Sequence, residues 1–165
     1  MKLQNNQTEK RLGNEKATCR FATALGHCLR STDTILLSGE LGTGKTFFAR
    51  ALIQSILVQP EEVPSPTFTL VQTYKTKLGD LWHSDLYRIA QIEEIEELGL
   101  IDAFAHSICV VEWPDRLGPL MPEEALKIEF KMLTNKALAR NVILTWTDAK
   151  WTQTVTKIMS GLSSG

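Results

Sequence analysis

The chain has 165 residues, of which 43% are hydrophobic and 22% charged, an ordinary composition for one compact globular domain. The net charge is −1, so the composition indicates no basic surface for binding nucleic acid directly. No apolar run is long enough to span a bilayer, residues 1–10 lack a signal-like apolar core, and the three cysteines form no CxxC pair. We therefore expect a cytoplasmic protein with reduced thiols and no membrane attachment.

The apolar pattern predicts a helix, a strand and a second helix in the first third of the chain. Residues 14–30 carry apolar side chains at helical spacing, and residues 34–38 form a short apolar run typical of a buried strand. Residues 45–58 again have helical spacing. Three prolines between positions 60 and 66 then predict an irregular loop.

The remaining residues predict mainly strands. Residues 67–76 and 81–87 are rich in β-forming side chains on either side of a turn, which predicts a hairpin. Residues 107–113 are a short apolar run suited to a central strand. Further predicted elements are a short acidic helix at residues 91–98 that ends at Gly99, strands at residues 125–133 and 141–146, and a helix at residues 148–162.

The segment between the first predicted strand and the second predicted helix matches the phosphate-binding pattern G-x-x-x-x-G-K-[ST] in full. Glycines let such a loop curl so that its N–H groups face phosphate oxygens, and the helix N-terminus adds its positive dipole. A chance glycine-rich turn is the alternative, and the flanking strand and helix disfavour it. We expect ATP or ADP to be bound here with Mg²⁺ by Gly39, Glu40, Leu41, Gly42, Thr43, Gly44, Lys45 and Thr46.

Such a loop needs further acids and hydroxyls near the phosphates. Glu112 ends a predicted central strand and is the candidate for the metal side, with an ordinary strand-end charge as the alternative. Asp85 is a candidate for the metal shell or for orienting the attacking water, and a surface pair with Arg88 is equally compatible with the sequence. Thr67, in the proline-stiffened loop, either senses the γ-phosphate or begins a strand.

Contacts to the nucleobase are less strongly indicated. The guanine-reading pattern N-K-x-D is incomplete at residues 135–138, so ATP rather than GTP is expected. Lys136 is a candidate for the base edge, although the sequence favours a surface lysine in a hairpin turn. Trp113 follows Glu112 directly and either shields the nucleotide site or belongs to the core.

Together these patterns predict an α/β fold. We expect a three-layer P-loop NTPase sandwich with a mostly parallel central sheet and antiparallel hairpin additions. No repeat and no long linker divides the sequence, so residues 1–165 are assigned to a single domain, with flexible ends at residues 1–10 and 161–165.

Four segments in order, GELGTGKT, SPTFTLVQTY, HSDLYRI and CVVEWPDR, resemble the TsaE (YjeE) family of small bacterial ATPases over roughly residues 14–116. The resemblance implies an Mg-dependent ATPase required for threonylcarbamoyladenosine formation at position 37 of tRNAs that read codons beginning with A. It also implies that the chain regulates a TsaB–TsaD partner complex and contacts tRNA mainly through that complex.

Carried over by position, the resemblance gives roles to the candidate residues. Lys45 and Thr46 would bind phosphate and Mg²⁺, and Glu112 would belong to the metal site. Asp85 and Thr67 would support hydrolysis or sense its state, so that the catalytic set is Asp85, Glu112, Lys45 and Thr67. Trp113 would lie beside the phosphates.

Two other functions stay open from the residues alone. A small-molecule kinase of this size is one, although the arginines at 88, 116 and 140 are scattered and form no lid-like segment. A nucleotide-binding module without significant turnover is the other.

Overall fold

The structure is a computed structural model that describes residues 5–162. Strands and helices alternate along most of this part of the chain. In chain order they are β1 (Asn6–Leu12), α1 (Glu15–Cys28), β2 (Thr34–Gly39), α2 (Lys45–Ile56), β3 (Val71–Thr76), β4 (Gly79–Asp85), α3 (Ile92–Glu97), α4 (Leu100–His106), β5 (Ile108–Glu112), a 3₁₀ segment (Pro114–Leu120), β6 (Leu126–Leu133), β7 (Lys136–Trp146) and α5 (Lys150–Leu162).

The seven strands form one sheet in the order β1-β7-β6-β2-β5-β4-β3. The four central strands, β6, β2, β5 and β4, run parallel to one another. β3 pairs antiparallel with β4, and β7 pairs antiparallel with both β6 and β1. The predicted α/β fold, with a mostly parallel sheet extended by antiparallel hairpins, is confirmed.

Helices cover the sheet on both faces, which gives three layers. Alternation along β2 shows this directly, because Ile35 and Leu37 pack in one core with residues of α1, α2 and α5, whereas Leu36 packs in the other with residues of α3 and α4. All five residues of β5 are buried, as expected for a parallel strand covered on both faces. No helix within residues 5–162 is both long and apolar enough to cross a bilayer.

The carboxyl ends of three parallel strands are level with one another. Leu37 near the end of β2 pairs with Glu112 at the end of β5, and Glu112 pairs with Asp85 at the end of β4. Ligands of open α/β sheets bind outside such carboxyl ends. This edge of the sheet is therefore where the fold places the candidate residues.

The structure differs from the predicted elements at several points. Residues 6–10, predicted to be flexible, belong to β1, which pairs with β7 from Asn6–Trp146 to Leu12–Arg140. Main-chain hydrogen bonds hold this polar strand, so its composition gives little sign of it. Residues 161 and 162 end α5, whereas residues 1–4 and 163–165 lie outside the described residues.

Two further differences concern the start of β3 and the presence of α4. The strand predicted at residues 67–76 begins only at Val71, because the Leu70 amide donates to the Pro66 carbonyl at 2.7 Å and closes a turn. Gly99 follows the end of α3 with a left-handed φ of 79°, as predicted, but α4 begins directly after it at Leu100. The sequence pattern did not indicate α4, because it is a short helix of seven residues.

Candidate functional site

The segment from Gly39 to Thr46 joins β2 to α2 through a tight curl. Gly39, Gly42 and Gly44 have φ of 136°, 79° and 100°, which only glycine adopts at little cost. A Cβ at Gly39 would also lie 2.6 Å from the Phe130 carbonyl oxygen. The first hydrogen bond of α2 runs from Phe48 N to Gly44 O at 2.9 Å, so the amides of residues 45–47 have no acceptor within the helix. These amides are suited to an anion.

Lys45 lies inside this curl. Its Nζ donates to the carbonyl oxygens of Gly39 and Glu40 at 2.7 and 2.8 Å, and the side chain is buried. Burial lowers the pKa of Lys45 below its ordinary value of 10.5, while the negative charges of Glu112 and Asp85 act in the opposite direction. The ammonium is therefore held where the loop amides and two carboxylates converge.

Glu112 connects α2 to β4. Its Oε1 accepts from Thr46 Oγ1 at 2.6 Å, and its Oε2 lies 2.7 Å from His83 Nε2. Glu112 and His83 are almost completely buried, with exposed fractions of 1% and 0%. The hydroxyl of Thr46 and the carboxylate of Glu112 place two oxygen ligands side by side, the type that Mg²⁺ prefers.

His83 has a position in the site that the sequence did not indicate. His83 lies two positions before Asp85 on β4, which places both side chains on one side of the strand. In the sheet, His83 pairs with Val110 and Asp85 pairs with Glu112, so β4 brings the imidazole beside the carboxylate of the neighbouring strand. That contact depends on the register of β4 and β5, which a single sequence does not give.

Asp85 and Thr67 form a second polar pair. Asp85 Oδ2 accepts from Thr67 Oγ1 at 3.1 Å, and Asp85 Oδ1 accepts from the Tyr87 amide at 3.0 Å. The alternative surface pair with Arg88 is not formed, because the Arg88 guanidinium lies over the Phe68 ring, 5.2 Å from its centroid. Asp85 is therefore a buried carboxylate that ties the loop before β3 to the end of β4.

Trp113 forms a wall of the site. Its backbone is left-handed, with φ of 60° and ψ of 53°, and its amide donates to the Leu37 carbonyl at 3.1 Å. Lys45 Nζ lies 4.5 Å from the centroid of the indole ring, and the Tyr87 ring lies 4.8 Å from it on centroids. The residue also packs against the core that contains residues of α3 and α4, as the core interpretation of Trp113 expects, and its role beside a nucleotide stays a prediction.

One cavity of about 370 Å³ brings most of the candidates together. Lys45, Thr46, Thr67, Asp85 and Glu112 all line it. Its other lining residues are Leu41, Gly42, Gly44, Phe47, Tyr87 and Trp113. Of the remaining candidates, Gly39 and Glu40 contribute carbonyl acceptors to Lys45, and Thr43 lies behind the loop against Arg140.

Another cavity, of about 210 Å³, also adjoins this loop. It shares Gly42, Gly44 and Phe47 with the first cavity. Lys136 lines neither of the two, and it is exposed at the start of β7. Residues of α1 and β7 also line this cavity, namely Glu15, Thr18, Leu138 and Arg140. The sequence did not indicate them as cavity residues, because α1 and β7 meet the loop only through tertiary packing.

The donor set of the site fits one particular kind of metal. Within residues 5–162, no group of three or more His, Cys, Asp or Glu side chains is placed to hold a metal ion. Mg²⁺ is commonly held by one or two protein oxygens together with phosphates and water, whereas structural Zn²⁺ needs four protein ligands. The Thr46 and Glu112 oxygens fit the first pattern.

Comparison with known proteins agrees with this geometry. A sequence profile described as "Threonylcarbamoyl adenosine biosynthesis protein TsaE" matches residues 12–142. The chain belongs to the TsaE family. The family resemblance predicted from four sequence segments is thereby confirmed, and it associates the chain with tRNA threonylcarbamoyladenosine biosynthesis.

Relatives and a solved structure extend this result beyond the segments that carried the resemblance. The tRNA threonylcarbamoyladenosine biosynthesis protein TsaE of Rickettsia bellii is 37% identical over 142 residues, covering 86% of this chain and 97% of that protein. The TsaE protein of Aquifex aeolicus is 39% identical over 109 residues, covering 66% of this chain and 77% of that protein. The crystal structure of Bacillus subtilis YdiB, at 22% identity, shares the fold with a TM-score of 0.76 over 96% of this chain and 97% of that one.

Proposed function

We propose that this TsaE-family chain is an Mg-dependent ATPase. Its ATP binding and hydrolysis would regulate a TsaB–TsaD complex that forms threonylcarbamoyladenosine at position 37 of tRNAs reading codons that begin with A. The observation that carries the proposal is the contact of Thr46 with Glu112, 2.6 Å apart beside the buried Lys45 ammonium at the start of α2. A cytoplasmic location and contact with tRNA mainly through partners belong to the same proposal.

The phosphates are proposed to bind in the curl of residues 39–46. The amides of residues 45–47 are available at the N-terminus of α2, where the helix dipole favours negative charge. Lys45 Nζ, now bonded to main-chain oxygens of Gly39 and Glu40, is within the loop that the phosphates would enter. Phosphate oxygens would stabilise the charged ammonium, which burial alone disfavours.

Thr46 and Glu112 are proposed to hold Mg²⁺, which when bound neutralises charge on the β- and γ-phosphates. His83 fixes the Glu112 carboxylate from behind, so that one oxygen faces His83 and the other faces Thr46. Both oxygens are thereby oriented by residues of this chain.

Asp85 and Thr67 are proposed to act at the γ-phosphate end. Asp85 lines the same cavity as Lys45 and Glu112, and its carboxylate is oriented by the Thr67 hydroxyl and the Tyr87 amide. Asp85 would orient the attacking water or accept its proton. Thr67 would report the presence of the γ-phosphate to the loop that carries it, residues 65–70.

The nucleoside is proposed to occupy the second cavity, beyond the Gly44–Phe47 side of the loop. Leu138 and Thr18 line it from β7 and α1. Contact of Lys136 with the base stays a prediction. The kinase alternative gains no support, since Arg140 is bound to main-chain carbonyls and Arg88 to Phe68, which leaves neither in a lid over the phosphates.

The proposal is tested with the purified chain, its Lys45→Ala variant and Lys75→Ala as a control. Lys75 is an exposed lysine of β3 whose Nζ pairs with Asp80 at 2.7 Å, and it does not line the cavity beside the loop. Calorimetry with Mg·ATP should give binding for the chain and for Lys75→Ala, and none for Lys45→Ala. A chain that binds no nucleotide contradicts the proposal.

The regulatory part needs the partners. Hydrolysis should be slow for the chain alone and should rise when TsaB and TsaD of the same organism are added. Association with them should depend on which nucleotide is bound. Equal association with ATP, with ADP and without nucleotide defeats the regulatory role, and binding without any hydrolysis under all conditions supports the module without turnover.

A further inference from the structure

Arg140 links the phosphate loop to the hairpin of β6 and β7. Its Nε donates to the Thr43 carbonyl at 2.8 Å, and its Nη2 donates to the Gly42 carbonyl at 3.3 Å. On the other side, Nη1 donates to the carbonyls of Ala137 and Ala139 at 2.7 and 2.9 Å. One guanidinium therefore bridges two segments that are almost a hundred residues apart in the chain.

The position of Arg140 follows from the sheet. Arg140 pairs with Met132 across β6 and β7, and the register shifts between Met132 and Leu133. The bonded carbonyls of Ala137 and Ala139 lie within this irregular part of the hairpin. A Cβ at Gly42 would lie 3.6 Å from the Met132 Cε, so the loop rests against the same place. The guanidinium fork fixes the irregular hairpin and the loop together.

These hydrogen bonds from Arg140 determine which way the N–H groups of the loop point. In a trans peptide, the carbonyl of one residue and the N–H of the next point in opposite directions. Holding the Thr43 carbonyl toward Arg140 therefore turns the Gly44 N–H away from β7. Holding the Gly42 carbonyl fixes the Thr43 peptide in the same way, and the Thr43 amide donates to the Glu40 carbonyl at 3.3 Å.

Among residues 5–162, the charge of Arg140 has no carboxylate partner. Within residues 5–162 its hydrogen bonds go to four main-chain carbonyls, and no ion pair includes it. Carbonyl dipoles do not cancel a full positive charge, so the guanidinium contributes positive potential behind Gly42 and Thr43, where Glu15 is the acidic residue that lines the same cavity. This potential favours a polyanion in the loop.

We propose that Arg140 is a positioning residue for nucleotide binding, which holds the Gly42–Gly44 part of the phosphate loop in its binding conformation through its guanidinium fork. The inference rests on the proposed function. It gives β7, which carries no part of the recognised phosphate-binding motif, a direct role in the affinity for nucleotide.

The test compares Arg140→Gln and Arg140→Lys with the unaltered chain and with Arg50→Gln. Arg50 is the matched control, because it is also a half-buried arginine that donates to a main-chain carbonyl, that of Val63 at 2.9 Å, outside the phosphate loop. ADP affinity is measured by calorimetry. Amide hydrogen exchange over residues 39–47 is measured without nucleotide.

Arg140→Gln should weaken ADP binding at least tenfold and speed exchange over residues 39–47, while exchange in β2 and β5 stays unchanged. Arg140→Lys keeps the charge but cannot reach both segments, so its affinity should lie closer to that of Arg140→Gln than to that of the unaltered chain. Arg50→Gln should keep ADP affinity within about twofold.

Unchanged exchange in residues 39–47 of Arg140→Gln overturns the inference, as does full affinity in Arg140→Lys. Should Arg140→Gln fail to fold, Arg140→Lys decides. Failure of the unaltered chain to bind ADP is a different result, which overturns the proposed function itself.

Discussion

His83 Nε2 lies 2.7 Å from Glu112 Oε2, and both side chains are withdrawn from solvent. The imidazole Nδ1 has no hydrogen-bond partner within residues 5–162. With the ring proton on Nε2, Nδ1 carries a lone pair rather than a hydrogen, and His83 donates to the carboxylate. The histidine thus restrains Glu112, which also contacts Thr46.

Replacing His83 should weaken the metal site without emptying the phosphate loop. His83→Leu removes the donor to Glu112, and loss of such an orienting contact commonly costs about 10- to 100-fold in metal affinity. We expect the Mg²⁺ concentration for half-maximal hydrolysis to rise by about tenfold. Affinity for ADP without Mg²⁺ should change little, which separates positioning from general damage.

His83→Gln serves as the conservative control. Its amide can donate to Glu112 from nearly the same place, so it should recover part of the Mg²⁺ dependence. Equal Mg²⁺ requirements in the leucine variant and the unaltered chain would show that Glu112 needs no such support.

Substituting Glu112 should separate hydrolysis from binding. Glu112→Ala removes the carboxylate beside Thr46, while Lys45 and the loop amides remain. We expect Mg-dependent hydrolysis to fall by roughly 100-fold and ADP affinity to fall much less. Steady-state kinetics and calorimetry measure the two, with Glu129→Ala, a partly exposed glutamate of β6, as the control. Normal hydrolysis by Glu112→Ala would make the metal assignment wrong.

Thr67 should matter through its hydroxyl. Thr67→Val keeps the shape but loses the hydrogen bond to Asp85, whereas Thr67→Ser keeps it. We expect a fall in hydrolysis of about tenfold or more for the valine variant, and near-normal hydrolysis for the serine variant. Single-turnover measurements keep ATP binding apart from the chemical step. If the two variants behave alike, the hydroxyl has no role in turnover.

Gly39 should be among the least replaceable positions. Gly39→Ala would place its Cβ 2.6 Å from the Phe130 carbonyl oxygen at a φ of 136°. We expect the free energy of unfolding to fall by at least about 2 kcal/mol. Denaturant titration measures this, and Gly13→Ala is the control because its Cβ would meet no atom within 4 Å. Similar stability of the two variants would contradict the geometry of the curl.

The contribution of Lys45 to the free energy of unfolding should depend on pH. Burial lowers the pKa of Lys45 from 10.5 in the folded chain, so the unfolded chain binds more protons between that lowered pKa and 10.5. The contribution of Lys45 to stability therefore increases as pH rises through this window. Urea titrations at alkaline pH measure the free energy of unfolding of the unaltered chain and of Lys45→Met. The difference between the two, unaltered chain minus variant, should increase over the same pH range. A flat difference would show that the folded and unfolded pKa values coincide.

Local pattern was enough to predict the glycine-rich turn between β2 and α2 and the two apolar strands β2 and β5, whose carboxyl ends lie beside it. Residues 39–46 form a continuous motif. Glu112 ends an apolar run that can be recognised as a strand without knowing which strands pair with it. The partner of Asp85 could not be predicted from the sequence, because it depends on how the loop of residues 65–70 folds back against β4. The structure gives that partner as Thr67 rather than Arg88.

The contacts that could not be predicted from the sequence depend on pairing between strands that are distant in the chain. The contact of His83 with Glu112 needs the β4–β5 register, and the bridge from Arg140 to Thr43 needs β7 to lie beside β6. β1 was missed for another reason: its side chains are mostly polar, and its place is set by main-chain pairing with β7. None of these relationships leaves a periodic or compositional sign in the chain.

The level ends of β4 and β5 have a consequence for how the site tolerates change. Asp85 and Glu112 are neighbours in the hydrogen-bond ladder, so the distance between the two acids is inherited from the spacing of adjacent strands, about 4.8 Å between backbones. The loops around them can vary in length or sequence without altering that separation. The backbone positions of the two acids are therefore set by the interior of the sheet rather than by the loops that follow β4 and β5.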